Sequence, residues 1–110
     1  MSDPLDVLVV YVPRGSTRTL LAALFAAGAG AVGDYEECAF VTHGTGQFRP
    51  VRGARPALGR LDEVTHVEED RVELVLPRGL RGVVVAALRA AHPYEEPAFH
   101  VIETASLPGA

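Results

Sequence analysis

The chain has 110 residues, 48% hydrophobic and 22% charged, which suits a single domain over 1–110 with an ordered core at about 5–104. Ten basic against fourteen acidic residues leave a net charge of −4, the wrong sign for a protein that neutralises nucleic-acid phosphates. No apolar run approaches the ~18–20 residues that cross a bilayer, and the acidic start MSDPLDVLVVYV reads as a first strand rather than a signal peptide, so a cytoplasmic location is expected.

In chain order, Leu5–Val12 is β-branched and almost continuously apolar, the pattern of a strand buried on both faces. Pro13 and Gly15 end it, and Ser16 is the expected N-cap of a helix from Thr17. Leu20, Leu21, Leu24, Phe25 and Gly28 form that helix's buried stripe. Glu36–His43 reads as a strand and GTGQFRP as a hairpin or bulge, with Phe48 opening a short return strand. Arg49–Leu61, rich in arginine, glycine and proline, reads as a loop. Val64–Glu68 and Arg71–Leu76 read as two short strands around a turn at Glu69-Asp70. Leu80, Val84, Ala87, Leu88 and Ala91 lie on one side of a second helix. The segment HPYEEP (His92–Pro97) stops that helix, because a residue before proline is pushed out of the α region. Phe99–Glu103 is the last strand. No internal repeat is read along the chain.

The smallest fold that satisfies this order is an α+β, split βαβ, ferredoxin-like βαββαβ sandwich with an extended middle hairpin. Its helices cover one sheet face, yet the first and last strands carry apolar residues on both sides. A homo-oligomer is therefore expected, because an exposed apolar sheet face marks an interface. Gly28-Ala29-Gly30-Ala31-Val32-Gly33 matches GxGxxG but follows a helix instead of opening one. It faces the negative helix end, which repels phosphate, and reads better as a C-cap and tight connection.

GAGAVGDYEECAFVTHGTGQFRP, PALG and AHPYEEPAF together resemble the PII-like, CutA-like domain of the YqfO type. That domain is found as an insert in dinuclear-metal-centre hexameric proteins of the NGG-interacting-factor family and as a stand-alone chain. The resemblance runs from Leu5 to about Glu103. It implies a ferredoxin-like fold related to CutA and PII proteins and a tendency to form trimers. It also implies that the two-metal site of the larger proteins lies in a separate domain, so their suspected hydrolase chemistry is not expected of this chain. His43 departs from the small or polar residue expected at its position.

The chemistry concentrates in HPYEE. Two carboxylates beyond a helix C-terminus sit at its negative pole and call for compensation. His92, Glu95 and Glu96 are candidate ligands for a divalent metal, with His43 as a further one from elsewhere. Tyr35, Cys38 and Tyr94 are candidate ligand or interface residues, in a cleft combining HPYEE with Tyr35–His43. Arg49, Arg52, Arg55 and Arg60 share one loop and are candidate partners for Glu95 or Glu96, within or between subunits, or for a small anion. The bland alternative is that Tyr94 packs and the prolines stiffen a turn. Cys38 is expected to be a small buried side chain; as the only cysteine it excludes an internal disulfide and a CxxC pair. The absence of lysine removes Schiff-base and P-loop chemistry. His66 is expected to be solvated, and no nucleophile–base pair stands out. The expected function is a small oligomeric binding or regulatory module, no enzyme, with a divalent metal or small ligand at HPYEE. The alternative is an assembly module in which HPYEE makes subunit contacts.

Overall fold

The computed structural model describes residues 4–105. Six elements follow in order among them: β1 (Leu5–Pro13), α1 (Thr17–Ala26), β2 (Phe40–Phe48), β3 (Thr65–Pro77), α2 (Arg81–Ala91) and β4 (Phe99–Glu103). The strands form one antiparallel sheet in the order β2-β3-β1-β4, the ferredoxin-like arrangement expected from the sequence. Of the described helices, none is long and apolar enough to cross a membrane.

Strand parity decides what is buried. Leu8, Val10 and Val12 of β1 stand opposite Leu74, Val72 and Asp70 of β3, and share a face with them. Leu20 and Leu24 of α1 and Val84 and Leu88 of α2 close over that face, and all four are fully buried. The periodic stripes of both helices thus meet one side of the sheet. On the other side β1 places Val7, Val9 and Tyr11. Val9 is only 4% exposed, walled in by its neighbours across the sheet, whereas Phe40 is 70% and Ile102 53% exposed. The continuous apolar run of β1 follows from its central position with strands on both sides.

Two expectations for the strands fail for one reason. Thr65–Pro77 is a single strand with no turn at Glu69-Asp70, and Gly44-Thr45-Gly46 lies inside β2, which ends at Phe48. The acidic triplet stays extended because each carboxylate has a partner: Glu68 meets Arg14, Glu69 meets Tyr94, and Asp70 meets Thr17 and His43. Ser16 makes no capping bond either; a 3-10 turn at Arg14–Ser16 carries β1 into α1.

The glycine-rich stretch behaves as a helix exit. Gly28 and Gly30 have φ of 103° and 88°, the left-handed region that other residues avoid. Gly30 donates its N–H to the Val75 carbonyl at 2.7 Å and accepts from the Cys38 N–H at 2.9 Å. A Cβ there would stand 2.9 Å from the Phe25 ring and 3.0 Å from the Cys38 carbonyl. We expect Gly30→Ala to cost about 2 kcal/mol or more, read as a lower urea midpoint. An unchanged midpoint would contradict this close packing.

Pairing the strands also reveals a repeat that the linear order conceals. Asp6-x6-Pro13-Arg14-Gly15 recurs as Asp70-x6-Pro77-Arg78-Gly79, each copy spanning a strand and the 3-10 turn after it. The two copies brace each other. Arg78 donates through Nε to Asp6 at 2.7 Å, while Arg14 approaches Asp70 at 3.4 Å. The third residue after each arginine joins in: Arg81 donates to Asp6 at 2.7 Å, and the Thr17 hydroxyl donates to Asp70 at 2.7 Å. The outer strands supply the fourth member, Glu103 opposite Asp6 and His43 opposite Asp70. Burial pushes the Asp6 carboxyl up, but bonds and charge from Arg78 and Arg81 outweigh it and hold Asp6 below the usual carboxylate range. Asp70 is lowered against its burial in the same way, by Thr17, His43 and Arg14.

Candidate functional site

HPYEE is held in place by its histidine. His92 is 6% exposed, and its Nε2–H donates to the Tyr11 carbonyl at 2.7 Å. Its Nδ1 accepts the Tyr94 backbone N–H at 3.1 Å, which fixes the tautomer. With both nitrogens engaged, His92 locks the exit of α2 onto β1 and has no lone pair to offer an ion.

The latch positions Tyr94 above the face opposite the helices. Its ring packs against His92 at 5.1 Å and Phe48 at 5.8 Å between centroids. Its hydroxyl donates to Glu69 at 3.0 Å. Burial, then the Glu69 bond and charge, push the phenol above its usual range. Glu69 in turn occupies the space that a Gly46 side chain would need. GxGxF in β2 and HPYEE after α2 are therefore one unit: Gly46 makes room for Glu69, Glu69 anchors Tyr94, and Tyr94 packs on Phe48. We expect Gly46→Ala to displace Glu69 and bring Tyr94 ionisation to lower pH in an alkaline ultraviolet titration, with Tyr94→Phe identifying the signal. A titration identical to that of the unmodified protein would contradict the coupling.

The Arg49–Leu61 loop folds over this unit. Glu95 accepts the Arg55 backbone N–H at 3.1 Å, so its partner within the chain is the loop's main chain and not a guanidinium. Between loop and sheet lies a pocket of about 290 Å³. Pro50, Ala54, Pro56, Ala57 and Leu58 make its apolar wall; Tyr11, Phe48 and Tyr94 add rings; Glu69, Glu95, Glu96 and Arg49 bring charge.

Several candidates fall outside this pocket. Tyr35 and Cys38 lie before the start of β2, whereas the pocket adjoins its end, about 27 Å away along an extended strand. The expected cleft with Tyr35–His43 is thus replaced by one with the arginine loop. Cys38 is half-buried, just before β2 and not within it. His43 stands on the helix-side face, bonded through Nδ1 to Asp70; Glu103 holds the corresponding outer-strand position opposite Asp6 but pairs with Arg81 instead. Among the described residues, no three of His, Cys, Asp and Glu converge as a metal site would require. The ring of His92, Glu95, Glu96 and His43 is therefore not assembled within this chain. Arg52 and Arg55 are exposed on the loop, and His66 is exposed as expected. The linear pattern does not single out Glu69, Phe48 and Tyr11 as site residues. Strand parity through an unbroken β3 would have grouped them on one face.

No family model matches the chain. Proteins called GTP cyclohydrolase 1 type 2 homolog do. That of Mycobacterium tuberculosis is 54% identical over 97 residues, which are 88% of this chain and 26% of that protein. That of Bacillus subtilis is 41% identical over 107 residues, or 97% and 29%. The chain thus spans about a quarter of the length of the curated relatives it matches. A crystal structure of a Bacillus cereus protein related to NIF3 superposes with a TM-score of 0.82 at 35% identity, covering 96% of this chain and 27% of that one. The divalent cation tolerance protein CutA1 of Thermus thermophilus gives a TM-score of 0.66 at 20% identity, covering 93% and 85%. That likeness carries the fold alone. Together the matches bear out the resemblance read from the glycine-rich, GxGxF and HPYEEP segments.

Proposed function

Taking the chain as a relative of one segment of the GTP cyclohydrolase 1 type 2 homologues, we propose that it is a self-associating binding module whose ligand enters the pocket between the arginine loop and HPYEE. The observation that carries the reading is the convergence of two distant motifs, GxGxF and HPYEE, on one pocket whose largely apolar wall carries charged side chains at Arg49, Glu69, Glu95 and Glu96. Such pockets are the usual setting for small-molecule recognition.

Self-association is supported by the face away from the helices. Val75, Val7 and Ile102 form a row across β3, β1 and β4, with Phe40 exposed on the edge strand β2. A second and third copy would cover this row. Analytical ultracentrifugation is expected to give a trimer that Ile102→Glu dissociates; a monomer at micromolar concentration would end the proposal. The ligand test is nuclear magnetic resonance of the Tyr94, Glu95 and Arg55 amides against a small-molecule library, where shifts confined to this pocket support it. A divalent ion is the competing occupant, held by Glu95 and Glu96 without His92. Elemental analysis of protein prepared without chelator or tag-derived metal decides between them. If HPYEE instead fastens subunits, Glu95→Ala and Glu96→Ala dissociate the trimer and leave ligand affinity unchanged.

A further inference from the structure

The chemistry of the pocket wall narrows the ligand class, a step that rests on the pocket being a binding site. Three glutamates line the space, Glu69, Glu95 and Glu96, against one arginine, Arg49. Glu69 already accepts the Tyr94 hydroxyl and Glu95 the Arg55 N–H, each through one oxygen, so both keep acceptor capacity. The surplus of negative charge repels a carboxylate or phosphate ligand. It sits beside rings of Tyr11, Phe48 and Tyr94, whose faces attract cations. Apart from Gln47, the remaining wall is proline, alanine and leucine, which suits an apolar body better than a hydrated metal ion.

We propose that the pocket binds a small organic cation, a primary amine or quaternary ammonium carried on an apolar body. The ammonium lies among the carboxylates and ring faces, and the apolar part lies under the Pro50–Leu58 segment. A volume of about 290 Å³ is at the small end for ligand pockets and limits the class to compact molecules.

The test compares three probes of nearly one shape: phenethylamine, 2-phenylethanol and 3-phenylpropionate. Each is titrated by nuclear magnetic resonance against the unmodified protein and against Glu95→Gln/Glu96→Gln. The glutamine at position 95 retains an oxygen for the Arg55 N–H, so the loop stays tied while charge is removed. The amine is expected to bind at least about tenfold more tightly than the alcohol, with the acid weakest. In the double variant the amine is expected to lose most of its advantage over the alcohol, Glu69 and the ring faces keeping the rest, while the alcohol is unchanged. Equal affinities, a preference for the acid, or manganese(II) displacing the amine would overturn the organic-cation class and leave the binding pocket standing. Absence of pocket shifts with all three probes would overturn both.

Discussion

Asp6→Asn is expected to lower the melting temperature by roughly 10 °C or more, because it breaks a buried ionic brace from its centre. Asp6 is fully buried, and both carboxylate oxygens accept from arginines at 2.7 Å. Asparagine keeps the size, removes the charge, and turns an N–H₂ toward Arg78 or Arg81. The arginines are partly exposed and recover some hydration, but the buried position does not. Arg81 keeps Glu103, so the damage centres on the start of β1. The same brace fixes the direction of the pH dependence. Asp6, Asp70 and Glu103 are all held below the usual carboxylate range, Glu103 chiefly by Arg81. Groups lowered on folding contribute stability that is complete above their unfolded pKa, about 4, and is lost as pH falls through the lower folded values. Calorimetry should therefore show a melting temperature falling steeply below about pH 4 in the unmodified protein and less steeply in Asp6→Asn. Parallel pH curves would show that the brace carries no linkage.

The brace shows where linear reading stops. Stripe periodicity locates both helices, because burial on one face imposes a period that a sequence displays directly, and the continuous apolar run of Leu5–Val12 locates β1. Glu69-Asp70 and Gly44-Thr45-Gly46 read as turns or breaks, because charge and glycine are locally unfavourable in strands. Their compensation comes from residues distant along the chain: Arg14, Tyr94, Thr17 and His43 for the acids, and Glu69 filling the space above Gly46. Local propensity carries no record of such partners. The Asp-x6-Pro-Arg-Gly repeat is visible in principle, but two copies of a pattern with four fixed positions attract no notice until the strands are paired. Its consequence for His43 is direct. At a strand end before glycine the residue reads as a ligand candidate; with the strands paired it stands opposite the buried Asp70 and bonds it. HPYEE stands out in the sequence as the polar centre of the site, and the arginine loop as its candidate partner. The bond that joins them, however, runs through the Arg55 main chain, which a sequence read for guanidinium–carboxylate pairs does not show.

His92→Ala separates a latch from a ligand. The imidazole is buried and bridges the Tyr11 carbonyl and the Tyr94 N–H, and alanine leaves both without a partner. Two such losses amount to about 2–4 kcal/mol, or a melting temperature lower by at least about 8 °C. Phe48 and Glu69 lose the Tyr94 that the latch positions, so pocket ligands should weaken together with stability. A metal ligand would behave differently: a chelator would destabilise the unmodified protein and have no effect on His92→Ala. The latch requires the unmodified protein to melt at the same temperature with and without chelator, and the variant to lose the same amount in both. His92→Gln sharpens the comparison, since its amide can donate to Tyr11 or accept from Tyr94 but is too short to do both in this geometry. It should fall between the two proteins in melting temperature and in pocket affinity. A chelator-dependent gap between them would reassign His92 from the turn to an ion.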